Sequence, residues 1–385
     1  METFMKSATR DIKIYFILLG IFSLLFLSCK EESNPVTPPV QGPSFEMNVT
    51  FAPIEVKSTD GKVNLLYGVE TQNFEKEGYA LKDFQVLNAA NETMLCSRSD
   101  TGKFMLIHKP ASEGIPPEAY YYPFNGHLTY RFSIGLVLDP SQVPQKLKHR
   151  LVLSKDGKEK IIEGTETAVS KQAIPVISAP FKGEGFYAAN TTTLANNQHP
   201  SYQMTYMCNT TVPERFCIDW NKFDDKGSPY HDDINNYENW YVYGQDVFAV
   251  SSGQVVYVND GMPDQFPVGT ITGDINQYNS GGNSVIISTA VGFTIYSHFK
   301  LNSVLVKMGQ NVKKGELIGK VGNSGNSGAP HLHFGLNANF PWYISEGLPY
   351  YIDSLEKVGT LAGPLPSPEM HTNELVENGG VYNFK

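Results

Sequence analysis

A two-residue period governs this chain. Tyr130, Phe132, Ile134, Leu136 and Leu138 recur at every second position, and Val63, Leu65, Tyr67 and Val69 do the same. Successive side chains of a strand face opposite sides, so this spacing builds one buried face per segment. No stretch keeps the helical period over a long run. The 34 glycines and 24 prolines cut the segments short, while 21 tyrosines and 22 phenylalanines suit pleated, half-buried surfaces. An all-β fold follows.

Two regions emerge. Over residues 45–178 the strands are short and alternating, and in Lys155-Asp156-Gly157-Lys158 the Asp-Gly pair supplies the positive φ values of a tight hairpin. This predicts an immunoglobulin-like β-sandwich. His108, His127 and His149 are isolated there, so the region reads as a spacer or binding module. Residues 180–358 form a second domain, with strands expected at 215–220, 246–250, 254–259, 284–288, 293–298, 317–321 and 331–336. Its segment from Val306 to Gly319 resembles the glycine-punctuated "V-x-x-G-x-x-V-x-x-G" element of barrel-sandwich folds, which include biotin and lipoyl carriers. Residues 359–385, Pro-rich and then polar, read as a peripheral tail.

The N-terminus reads as an address. Lys6, Arg10 and Lys13 precede the uncharged run Ile14–Leu27, which is shorter than the ~20 apolar residues of a membrane span. Phe26-Leu27-Ser28-Cys29 resembles a bacterial lipobox, which implies a signal peptide over 1–28 and a lipid on Cys29. Lys30-Glu31-Glu32 is similar to the export signal of some surface lipoproteins. Residues 29–44 are polar and Pro-rich, a tether that builds no core. The protein is expected in the cell envelope, on the outer membrane, facing the periplasm or the surface. A net charge of −9, with no basic cluster beyond the N-terminus, argues against nucleic acid. Beyond Cys29 stand Cys96, Cys208 and Cys217, and the last two are either a disulfide pair or two small buried residues.

The chemistry concentrates in a few positions. His331-Leu332-His333 follows the loop Gly322–Pro330, and residues two apart on a strand share a face. Two adjacent imidazoles of this kind seldom serve core packing alone. His298 ends the segment Ile295-Tyr296-Ser297-His298. Asp219 sits among Phe216, Ile218 and Trp220, where a buried carboxylate needs a metal or a cation such as Arg215 as its partner.

Tyr296-Ser297-His298, the run "VKMGQNVKKGELIGKVGNSGNSGAPHLHFGL" and the preceding "VFAVSSGQVVYV" together resemble the lysostaphin-type (LytM-type) zinc metallopeptidases, which cut the peptide cross-links of bacterial peptidoglycan. The resemblance covers roughly residues 219–336. It implies a barrel-sandwich peptidase domain holding one zinc ion, with Asp219 and His333 as metal ligands. His331 would be the general base, and His298 would assist at the tetrahedral intermediate. The chain departs from the family at one point: the H-x-x-x-D pattern places its histidine at Arg215, which cannot ligate zinc. His199 is the preferred replacement, since a subgroup with a similar "RFAIDW" strand carries a histidine there; His231 in the loop 224–239 is the alternative. Tyr230, Tyr237, Trp240, Tyr241 and Tyr243 crowd that loop, either to meet substrate or to hold the loop down. Asp232 and Asp233 there would favour a cationic group.

The resemblance thus implies an endopeptidase acting on stem peptides or cross-bridges. The rival is a catalytically silent LytM-like module that binds or activates other cell-wall enzymes, kept open by Arg215. A carrier or phosphotransfer domain lacks support, because the loop before His331 holds no modifiable lysine.

Overall fold

The computed structural model describes Phe45 and residues 47–72, 74, 77–97, 104–106, 129–164, 166–191, 199, 204–206, 209–224, 226–276 and 278–385. The signal peptide, the tether and Cys29 lie outside the described residues. From Phe45 to Lys385 the chain is one compact unit. It is all-β: the helical segments among the described residues are short 3-10 turns such as Pro140–Gln142 and Trp342–Ile344. No helix among them is long and apolar enough to cross a membrane.

The first region consists of two five-stranded sheets. In one, Val63–Gln72 pairs with Met47–Phe51 on one side and with Thr129–Leu138 on the other. In the other, Lys146–Lys155 pairs with Ala80–Asn88 and Lys158–Glu163. The alternating residues read from sequence, among them Leu65, Tyr67, Val69, Phe132, Ile134 and Leu136, are buried in a core shared with Phe84, Leu151 and Leu153. Phe84 and Phe132 stack with ring centroids 4.2 Å apart. At the hairpin, Asp156 (φ 50°) and Gly157 (φ 72°) join Lys155 directly to Lys158.

A ten-stranded sheet dominates the rest. In spatial order it runs Asn311–Val312, Gly253–Asn259, Asn283–Thr289, Gly292–Phe299, Leu332–Asn337, Ile218–Lys222, Gly183–Ala189, Gly380–Phe384, Leu355–Thr360 and Gly363–His371. Residues 359–385 are therefore no peripheral tail. Val381 and Tyr382 pair with the Gly183–Ala189 strand on one side and with Leu355–Thr360 on the other, and Tyr382 and Phe384 are buried. Along Gly380–Phe384 burial alternates, with Gly380, Tyr382 and Phe384 inside, so five residues suffice for a strand once neighbours supply both ladders.

The two regions also share apolar surface. Ile54, Val56 and Leu66, from the first, pack into the same buried cluster as Ile218, Trp220, Leu332 and Phe334. Another departure from the sequence reading lies at Arg215, which was expected within a strand. Pro213–Phe216 is a turn instead, closed by Arg215 N–H to Val212 O (3.3 Å) and Cys217 N–H to Glu214 O (3.0 Å), and the strand starts at Ile218.

His149 offers a test of the sandwich core. It is buried with its Nε2 3.0 Å from the Tyr67 hydroxyl, and burial holds its pKa down at about 4. The folded value lies below the unfolded one, so the neutral ring contributes stability in full above pH ~6.5, lost as pH falls toward 4. We expect the native protein to lose about 3 kcal/mol between neutral pH and pH 4 relative to His149→Gln, measured by urea unfolding. Equal acid sensitivity of the two proteins would contradict this.

Candidate functional site

Cross-strand register builds the site. Asp219 lies directly opposite His333, His333 opposite Ser297, and Asp219 opposite Ala189. Directly paired residues project to the same side of a sheet. Ile218, Trp220, Leu332 and Phe334 point the other way and are buried in the core, which locks the register and leaves Asp219 and His333 on one open face. That face forms the floor of a cleft of about 330 Å³ lined by His199, Asp219, His298, His331 and His333, among others.

His298 reaches the cleft by a different route. It follows Ser297, so a regular strand would turn it away. Against the neighbouring strand, however, Asn283 pairs with Phe299 and Val285 with Tyr296, which leaves one extra residue on the His298 side. His298 itself sits at φ 66°, in the left-handed region that a non-glycine residue adopts at a cost of about 1–2 kcal/mol. The bulge re-aims the ring. Its centroid is then 4.7 Å from that of His331 and 5.9 Å from that of His333.

Asp219 is the hub. Its Oδ1 is 3.0 Å from His333 Nδ1 and 3.4 Å from His331 Nε2, and its Oδ2 is 3.4 Å from His199 Nε2. The Asn190 side-chain amide donates to Oδ2 at 2.8 Å. Burial alone would raise this carboxyl, but His199, His331 and His333 pull it well below the usual carboxylate range. For His333, burial opposes the cation, and Cys217, the Asp219 carboxylate and Glu214 outweigh it and hold the ring well above its ordinary value. Burial, together with His331 and His333, pushes His298 well below its ordinary value, so it is neutral.

Backbone carbonyls set the tautomers. Nδ1 of His298 lies 2.7 Å from the Ser324 carbonyl, Nδ1 of His331 2.8 Å from Ala329 O, and Nδ1 of His199 2.9 Å from Asn190 O. A carbonyl only accepts, so each Nδ1 carries the proton and each Nε2 is left with its lone pair. Two of these anchors come from the loop Gly322–Pro330, itself held by Gln265 Nε2 to Gly325 O (2.6 Å) and Ser327 Oγ to Asn323 Oδ1 (2.6 Å). Gly325 has φ 77° and passes so close to Gly282 that a Cβ would come within 2.3 Å of its nitrogen.

His199, Asp219 and His333 each present one ligand atom, all within 4.8 Å of one another. Donors ~2.1 Å from a tetrahedral ion lie roughly 3.4 Å apart, and Asp219 brings one oxygen to 3.0 Å from His333 and the other to 3.4 Å from His199. The anchored Nδ1 of His199 is the outer-shell support a metal-binding imidazole normally has. These residues fit a divalent ion such as zinc. His231 does not join them: half exposed, it pairs with Asp232 at 2.9 Å. The aromatic residues of its loop pack on one another, Tyr230 on Trp240 and Tyr237 on Tyr243, and none lines the cleft.

Arg215 faces away from the cleft. It is buried against Glu346 (3.1 Å) and over the Phe51 ring (4.3 Å), where it joins the two regions. Cys217 carries a free, buried thiol beside His333, and Cys208 lies outside the described residues. Sequence reasoning missed Asn190, which binds Asp219 by its side chain and His199 by its carbonyl. Its φ of 52° marks a strand end, a position asparagine tolerates, and Ala-Ala-Asn carried no stronger signal.

Residues 240–341 match the model of Peptidase family M23. This stretch is similar to the M23 peptidases. It contains His298, His331 and His333 and begins after Asp219 and His199, where the chain departs from the family pattern. The glycyl-glycine endopeptidase ALE-1 of Staphylococcus capitis is 34% identical over 106 residues, 26% of this chain and 29% of its own length. The cell division protein DipM of Caulobacter vibrioides is 42% identical over 86 residues, 20% of this chain and 14% of its own. The chain thus spans less than a third of the length of either relative. Among solved structures, the catalytic domain of lysostaphin from Staphylococcus simulans is 28% identical, with 31% of this chain and 83% of that one covered and a TM-score of 0.21.

The role of Arg215 is open to direct measurement. Arg215→Met keeps an apolar stem on Phe51 but leaves Glu346 without its cation, so the urea-unfolding free energy should fall by about 2 kcal/mol. An unchanged unfolding midpoint would show that the pair does not hold the turn.

Proposed function

We propose that this protein is a zinc-dependent endopeptidase that hydrolyses peptide bonds in peptidoglycan stem peptides or cross-bridges. The observation that carries the reading is the convergence of His199, Asp219 and His333 beside two further imidazoles, His298 and His331, whose Nδ1 atoms are held by backbone carbonyls. Zinc held by the first three residues supplies a Lewis acid that lowers the pKa of water toward ~7 and polarises a carbonyl.

The remaining chemistry belongs to the side chains. His331, oriented by Ala329, accepts the proton of the attacking water at Nε2 and returns it to the leaving amine. The neutral tautomer of His298 offers an acceptor at Nε2, so it does not steady an oxyanion in its resting form. It becomes a donor once it has taken a proton itself, and the 4.7 Å spacing of the two rings puts it next to the group that handles that proton. Asn190 holds Asp219 in place throughout.

The second reading is a catalytically silent module that binds or activates other wall hydrolases. Arg215 in the family's first ligand position favours it, and the presence of His199 in the cluster opposes it. With the motif at Cys29, the proposed setting is a lipid-anchored envelope protein whose partners are wall peptides; other wall enzymes belong to the second reading.

Three measurements decide. The protein should bind one zinc per chain, and His199→Ala should abolish this binding; a variant that keeps full affinity removes His199 from the ligand set. Because His333 holds a proton more tightly than an ordinary imidazole and must lose it to bind metal, zinc affinity should rise about tenfold per pH unit below neutrality. Purified sacculi should release peptide fragments, identified by mass spectrometry, and a chelator should stop the release. Zinc binding without any release would favour the silent module.

A further inference from the structure

The cleft has a second polar end that this chemistry does not use. Its floor is laid out in rows across the paired strands. Ser297, His333 and Asp219 form the first; Ile295 faces Gly335 in the next, and Phe293 faces Asn337 in the third. His333, Gly335 and Asn337 are spaced two apart and so share a side of the sheet, with Asn337 roughly 13 Å along the strand from His333. Gly335 keeps the floor low between them: a Cβ there would strike the Cys217 sulfur at 2.3 Å. Asn337 is fully buried and lines the cleft, yet neither its side-chain nitrogen nor its oxygen has a hydrogen-bond partner. A buried carboxamide left in this way is costly unless a polar group completes it.

Glu214 lines the same cleft, and no hydrogen bond or ion pair engages its carboxylate among the described residues. Among the described residues, neither lysine nor arginine lines the cleft. Three imidazoles surround the other acidic residue, Asp219, whereas Glu214 acts on His333 only through space and has no direct ion pair among the described residues. The turn that carries it is pinned from behind. Arg215 is bound to Glu346, the same carboxylate accepts from Val212 N–H (3.3 Å), and Gly347 N–H donates to Val212 O (3.0 Å). The residue that replaces the family's histidine thereby holds its neighbour at the cleft.

We propose that Glu214 is a specificity-determining residue that receives the ammonium group of a cationic peptide, with Asn337 completing the subsite through a substrate amide. This rests on the peptidase reading and adds a substrate class: a peptide with a free amine within about one residue plus a diamino side chain of the cleaved bond. A carboxylate in a partly closed cleft favours a cation that can shed water onto it, and it rejects an acidic or acylated counterpart.

The test compares the blocked peptide acetyl-Gly-Gly-Lys-Gly-amide with its Nε-acetylated twin, titrated calorimetrically onto the full-length protein after chelation, so that no turnover is needed. The free amine should bind about tenfold more tightly, and Glu214→Gln should remove that preference while Glu214→Asp retains part of it. Thermal melts of each variant establish folding. Equal binding of the two peptides, binding of neither at millimolar concentration, or discrimination that survives in a folded Glu214→Gln protein overturns the proposal. Chelator-sensitive release from sacculi without amine discrimination would leave the peptidase reading standing and remove this one; discrimination without release would do the reverse.

Discussion

The pairing of Asp219 with His333 is the constraint on which the site depends. A one-residue slip between their strands would send one of them into the core and the other into solvent. Apolar burial prevents that slip: Ile218, Trp220, Leu332 and Phe334, on the alternate positions, are inside a core that extends to Ile54 and Val56 of the preceding region. One face of the two strands therefore stabilises the fold and specifies the register, and the other receives its chemical groups already aligned.

The loop Gly322–Pro330 adds orientation. Main-chain carbonyls at Ser324 and Ala329 hold His298 and His331 by Nδ1, as Asn190 holds His199. Because an imidazole has two nitrogens, fixing one selects the state of the other. The loop is rigid for reasons of backbone packing, such as the approach of Gly325 to Gly282, and this rigidity passes to the imidazoles without any further side chain.

Much of this was legible in sequence. The expected strands covered the five central strands of the ten-stranded sheet and none of the other five, and His298, His331, His333 and Asp219 stood out because motif spacing records residues close in sequence or on one strand. His199 was reached by asking what replaces the histidine expected at Arg215. What escaped was long-range or made of backbone: Asn190 acts through its carbonyl as much as its side chain, and Asn337 and Glu214 meet the cleft from segments more than a hundred residues apart in the chain. Arg215 was misread because charge and position alone do not reveal that Glu346 and Phe51 would claim it. The 359–385 segment looked peripheral because its one buried strand is short and both its partners lie far upstream or on a separate hairpin.

The placement of Gly380–Phe384 bears on the order in which the sheet can be completed. Synthesis proceeds toward higher residue number, yet this strand is wedged between Gly183–Ala189 and Leu355–Thr360. Until it has emerged, the strand that leads into Asn190 has an unpaired border, and the cradle for His199 and Asp219 lacks a buttress. The cradle is thus buttressed only after one of the highest-numbered strands of the sheet has docked.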